Sequence, residues 1–188
     1  MLDLYGPDGE HVTTGSSYTT TVVPGAVVSL RTLPSSAFKS GYALLNHSGN
    51  DSLLGIIAVI TNFDSEGHPK FRTSVPGLSS AQKFLRLPFN NSGGLFSGMG
   101  WMSEVTQNIT LVARDRDGEE ICRETRLIFG GGHTAFLLPD RMPCTAGLDG
   151  VLDIYGDFIG ITAIGFTFDE ELRFWTQIPY KLCCIDPP

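Results

Sequence analysis

The sequence predicts an all-β protein built as two tandem β-sandwiches, and three observations predict it. Sustained helical periodicity is absent, and short runs of β-branched and aromatic residues alternate with turn clusters instead. The 22 glycines and 11 prolines in 188 residues suit many short strands joined by tight turns. One passage also occurs twice, about 105 residues apart. Leu2–Glu10 matches Leu111–Glu119, Val22–Gly25 matches Ile128–Gly131, and Leu33-Pro34 matches Leu138-Pro139. Gly41–Leu44 matches Gly150–Leu152, Gly55–Ile60 matches Gly160–Ile164, and Val75-Pro76 matches Ile178-Pro179. Recurring landmarks are scaffold; a feature that occurs once is a candidate for function.

Taken in order, the first copy gives strands at 2–5, 17–23, 26–33, 41–46, 55–62 and 70–75. Segment 82–87 reads as a connecting strand. The second copy gives 95–103, 108–115, 121–129, 133–138, 150–156, 160–168 and 172–178. Asp8-Gly9 and Asp117-Gly118 sit between strands, where Asp-Gly supplies the positive φ angles of a tight hairpin. Ile161–Phe168 intersperses small or polar residues with large apolar ones, as a half-buried strand requires. Gly55–Ile60 is uniformly apolar and predicts a central strand covered on both faces. Six or seven strands in each stretch of about ninety residues is the pattern of an immunoglobulin-like sandwich. The predicted units are 1–88, a first sandwich apparently lacking its first strand, and 89–188, a second sandwich with a C-terminal tail.

The missing strand follows from an asymmetry. Gly94–Met102 reads as the first strand of the second copy, and its counterpart would precede residue 1. An open sandwich exposes unpaired backbone and apolar core. Three remedies are expected, in this order: a longer parent chain, a strand exchanged from another molecule by β-augmentation, and the tail 181–188 folding back. The expected strand-exchange edge is Leu2, Leu4 and Tyr5.

Charged residues make up only 18% of the chain and the net charge is −7. No cluster of Lys and Arg interleaved with aromatics is present, so nucleic acid is not an expected partner. No apolar run reaches the 18 residues that spanning a bilayer needs, so no membrane insertion is expected. No basic start or cleavage site opens the chain, which reads as a fragment or a mature portion with an added Met. Cys122, Cys144, Cys183 and Cys184 permit three full pairings. The preferred one ties the tail to Cys122 or Cys144, conditional on export. Surface polarity from Ser, Thr, Asn and Gly places the protein outside the cell or at its surface.

Candidate chemistry is sparse. Asp115, Asp117 and Glu119 alternate like part of a calcium loop, but the distal bidentate Glu is missing. They are weak metal candidates beside an ordinary charged hairpin tip, and no metal or cofactor is expected. Gly130-Gly131-Gly132-His133 precedes a strand rather than a helix, so it reads as a turn and not a phosphate cradle. No Gly-x-Ser-x-Gly elbow accompanies the serines, and an enzyme is not expected. Trp101 and Trp175, each occurring once, could contact glycans, although aromatics at strand positions are more often core.

Phe89–Gly100, the strand–Asp-Gly–strand that follows, Phe129–Phe136 and Gly150–Leu152 together resemble a module of large bacterial secreted and surface proteins, in which immunoglobulin-like sandwiches follow one another in tandem. The resemblance implies an exported β-sandwich used in surface architecture or adhesion, and carries no catalytic residues. The expected function is a non-catalytic extracellular structural or adhesive module of a bacterial exported protein, self-assembling by β-strand exchange. Its expected partners are other protein chains, whether further copies or neighbouring repeats. The competing class is a carbohydrate-binding module using exposed aromatics.

Overall fold

Alternation with a period of two decides the second half of the chain. In Phe84–Asn90 (β5) the buried positions are Leu85, Leu87 and Phe89, with Arg86 and Pro88 turned the other way. The same rule puts Ile109, Leu111 and Ala113 of β7 (Gln107–Arg114) on the inner face, with Leu152 and Ile154 of β10 (Asp149–Gly156). From the facing sheet come Met99 and Trp101 of β6 (Leu95–Ser103) and Ile161 and Ala163 of β11 (Ile161–Asp169). Each Leu, Ile, Phe or Met among them, once fully buried, contributes about 1.5–3 kcal/mol. Together they form the core that holds two sheets face to face.

The structure is a computed structural model and describes residues 2–5, 20–29, 42–49, 55–77, 81–171 and 175–178. It is an all-β protein of antiparallel sheets. One sheet has the order β5-β10-β7-β8, with β8 at Glu120–Ile128. The other has the order β12-β11-β6-β9, with β9 at His133–Leu137 and β12 at Trp175–Ile178. A single helical turn α1 (Leu138–Arg141), with Pro139 early in it, closes one side and buries Leu138. Cys122 of β8 is joined to Cys144, in the short 3-10 turn after α1. The expected bridge from the tail to either of these cysteines is therefore corrected, because the two are spent on each other. Cys183 and Cys184 lie outside the described residues.

Second-copy strands fall where the sequence puts them. Segment 82–87 is not a loose connector. Its β5 is an edge strand paired with β10 from Phe84↔Tyr155 to Asn90↔Asp149, so the boundary between 88 and 89 crosses a strand of this sandwich.

Among its described residues the first half holds four strands: β1 (Leu2–Tyr5), β2 (Tyr42–Leu45), β3 (Ile57–Phe63) and β4 (Pro69–Pro76). They pair as β1-β2 and β3-β4. Two expectations are corrected here. Residues 20–29 form no strand; Pro24-Gly25 makes a turn, with Ala26 N–H donating to Val23 O at 3.0 Å and Gly25 at φ +79°. β3 is not a covered central strand either, since Ile57 and Val59 are 69% and 59% exposed. Continuous apolarity marks a strand that needs covering on both faces, and among the described residues only one edge of β3 is paired.

The pairing register of β1-β2 coincides with that of β10-β7. Leu2↔Leu45, Asp3↔Leu44, Leu4↔Ala43 and Tyr5↔Tyr42, each shifted by 109, become Leu111↔Ile154, Val112↔Asp153, Ala113↔Leu152 and Arg114↔Val151. β3-β4 differs: with β3 shifted by 105 and Val75-Pro76 set on Ile178-Pro179, a shift of 103, Ala58↔Val75 becomes Ala163↔Ile178, whereas Ile178 pairs with Gly165. The Val23–Ala26 turn, shifted by 106, becomes Phe129–Gly132, where Gly132 N–H donates to Phe129 O at 2.8 Å and Gly131 has φ +78°. A type II turn needs a positive φ at its third residue, which glycine adopts without steric cost. A slip of one residue would turn every side chain to the other face, and the β1-β2 register agrees over four residue pairs.

Candidate functional site

Three loops meet at one end of the second-half sandwich: 104–106 after β6, 129–132 after β8, and 157–160 after β10. Loop 104–106 is bonded to each of the other two. Glu104 N–H donates to Gly160 O at 2.9 Å, and Gly130 N–H donates to Thr106 Oγ1 at 2.9 Å. Gly131 N–H donates to Ser103 O at 2.8 Å. Beneath them Gln107, fully buried, donates from Nε2 to Ser103 Oγ at 2.8 Å and accepts at Oε1 from Phe158 N–H at 2.8 Å. Asn108 donates from its backbone N–H and its Nδ2 to Asp157 Oδ2. A buried amide with both ends satisfied fixes its neighbours, so this tip is a rigid platform.

Its side chains face the wrong way for a core. Phe129, Phe158 and Ile159 are 71%, 61% and 70% exposed, and Val105 is exposed beside them. Single exposed apolar residues are ordinary, but several at one loop cluster of a sandwich mark an interaction surface. Loops grouped at one end of a sandwich on a rigid scaffold are also where this architecture carries its binding residues. Glu104 and Asp157 give the platform an acidic rim.

A second cluster lies on the outer face of the sheet β5-β10-β7-β8. Asp153, completely buried, accepts from Arg86 Nε at 2.5 Å and Nη2 at 2.8 Å, from Arg114 Nε at 3.1 Å, and from Tyr155 Oη at 3.3 Å. Arg86 also lies over the Phe84 ring, which stacks on Tyr155 with centroids 4.7 Å apart. The bond to Asp153 raises the Arg114 pKa above its ordinary value, and burial pushes the Tyr155 phenol up. Two guanidiniums around one carboxylate satisfy a charge that burial would otherwise penalise. The cluster is a clamp across β5, β10 and β7.

The residues singled out in the sequence are dispersed. Asp115 Oδ1 accepts from Asp117 N–H at 3.0 Å and Glu119 N–H at 2.9 Å, and Gly118 takes φ +87°. That carboxylate organises its own hairpin turn. Asp64 does the same between β3 and β4, accepting from Glu66 and His68 N–H. Among the described residues no three His, Cys, Asp or Glu side chains are grouped to hold a metal ion. Trp101 is 2% exposed and meets Phe136 edge-on at 4.8 Å in the core; its expectation as a glycan contact is corrected, because no face of the indole reaches solvent. Trp175 stands in β12 opposite Phe168, with its side chain outside what is described. Leu2, Leu4 and Tyr5 form β1, paired along β2. His133 opens β9; its Nδ1 is buried without a hydrogen-bond partner, and burial lowers its pKa.

Sequence reasoning missed the tip and the clamp. For the tip a signal existed: Phe129, Phe158 and Ile159 are large apolar residues at turn positions, where nothing local requires them. The clamp had none, because Arg86, Arg114 and Asp153 are far apart in sequence until pairing registers are known. Comparison with protein-family models, curated proteins and solved structures yields no match. No helix among the described residues is long and apolar enough to cross a membrane.

Proposed function

We propose that this chain is a non-catalytic structural and adhesive module of an exported bacterial protein. It is built from two immunoglobulin-like copies related by duplication, and it works by contact with other protein chains. The observation that carries the proposal is the loop tip, where loops 129–132 and 157–160, each bonded to loop 104–106, hold Phe129, Phe158 and Ile159 out into solvent on a buried Gln107–Ser103 support. Hydrophobic anchors on a pre-ordered frame lose little conformational entropy on binding. Two further facts support the reading. The β1-β2 register repeats in β10-β7 at a shift of 109, as descent from a common copy requires. The Cys122–Cys144 bridge fits an oxidising compartment.

Analytical ultracentrifugation across a concentration series tests the contact. The native chain is expected to self-associate, and the combined change Phe129→Ser, Phe158→Ser and Ile159→Ser is expected to return it to monomer. A chain that stays monomeric throughout, with its tip intact, contradicts assembly through this surface.

A further inference from the structure

We propose that the outer face of the sheet β5-β10-β7-β8 binds an acidic oligosaccharide, a uronate chain laid across the strands. The inference does not depend on the loop tip, and it gives the cluster around Asp153 a use beyond clamping three strands. Registers place the residues. Tyr155 stands opposite Phe84 on one side and Thr110 on the other, and Thr110 stands opposite Thr125. Two residues along, Asp153 stands opposite Arg86 and Val112, and Val112 stands opposite Arg123. Leu85, Leu111 and Ile154, which alternate with these positions, face the core, so both rows lie on the outer face.

Depth sorts the charges there. Asp153 is completely buried, whereas the Arg123 side chain is 60% exposed and Arg86 and Arg114 are partly exposed. These three guanidiniums meet two carboxylates, Asp153 and Glu120, a surplus of one positive charge. An approaching ligand therefore reaches guanidinium before it reaches the Asp153 carboxylate. In a chain of net charge −7 such a spot favours an anion. Acidic residues bound it at both ends, Asp157 past Thr110 and Asp115 past Arg114, which confines an anion to the two central rows.

The neighbouring groups suit a sugar better than a bare anion. Thr110 and Thr125 hold their hydroxyls 2.8 Å apart, and each can donate or accept, as sugar hydroxyls do. Phe84 and Tyr155, stacked on each other, give the same row an apolar end. Adjacent strands lie about 4.8 Å apart, comparable to one hexose of an extended chain, so successive sugars meet successive strands. A carboxylate at Arg123 takes N–H donors in the planar fork that a guanidinium offers, and ring hydroxyls fall to Thr110 and Thr125.

Trigalacturonate is the probe, titrated into the intact chain by calorimetry and followed by amide shifts in NMR spectra. Saturable binding is expected, with the largest shifts at Thr110, Thr125 and Tyr155 and an affinity that falls as salt rises. The methyl ester of the same trisaccharide, which lacks the charge, is expected to bind about tenfold more weakly. Arg123→Gln leaves the bonds to Asp153 in place and is expected to lose about tenfold in affinity, and Thr125→Val about threefold. Unchanged amide shifts at Leu111 and Leu152 show that each variant keeps the core. Absence of saturable binding overturns the proposal. So does equal binding of the methyl ester, or of triglutamate, which has the charge without the ring hydroxyls. Shifts centred on loops 104–106, 129–132 and 157–160 would overturn it as well, by placing the sugar at the tip.

Discussion

Asp153 has no water to fall back on, so its charge depends on Arg86, Arg114 and Tyr155. Asp153→Asn keeps the shape and removes the charge that both guanidiniums address. A loss of about 2 kcal/mol is expected, below the figure for a fully buried pair because both arginines are partly exposed and can turn to water. Urea unfolding measures it, and a change within about 0.5 kcal/mol would match an indifferent surface site instead. His133 gives a pH signature. Its burial holds the folded-state pKa below 6.5, so the unfolded chain takes up the proton first as pH falls. Stability is therefore full above about 6.5 and declines as pH drops from there through the folded pKa. Unfolding midpoints at several pH values should show that acid-side slope, and His133→Asn should flatten it.

Among elements, the hairpin β7–β8 shows which local signals the sequence carries faithfully. Asp115 accepts two backbone N–H groups and Gly118 takes a left-handed conformation, both visible in the letters Asp-Arg-Asp-Gly. Gly118→Ala would force a Cβ into that conformation and cost about 1 kcal/mol, readable as a shift in the denaturation midpoint. The Cys122–Cys144 bridge spans 22 residues and restricts the unfolded chain by about 3 kcal/mol on the loop-entropy account. The double change Cys122→Ser and Cys144→Ser should lose most of that in thermal unfolding, and no loss would show the bridge unformed in solution. Alternation likewise locates β11, because a half-buried strand writes its faces into every second residue. Edge strands and loops do not write theirs. Ile57–Ile60 reads as central because apolar residues say only that cover is needed, without saying whether the chain supplies it. Trp101 follows the opposite course: its singularity suggests a site, but its position in β6 puts it in the core.

For the whole molecule, the proposed duplication joins the fold to the proposed function. The second half contains both four-stranded sheets and presents its loop tip. The first half, where described, carries one turn and one strand register that the second half also has. The recurring Gly and Pro landmarks make this plan legible in the sequence, since each marks a turn that strand pairing must respect. The spatial gathering of Phe129, Phe158 and Ile159 is not legible, because it depends on three loops that only pairing brings to one end. The measurement that tests the central claim most directly is a set of interstrand NOEs in the first half. Close contacts are expected between Leu4 and Ala43, the counterpart of Ala113 with Leu152. Contacts displaced by one residue, or β1 paired with a strand other than β2, would contradict it.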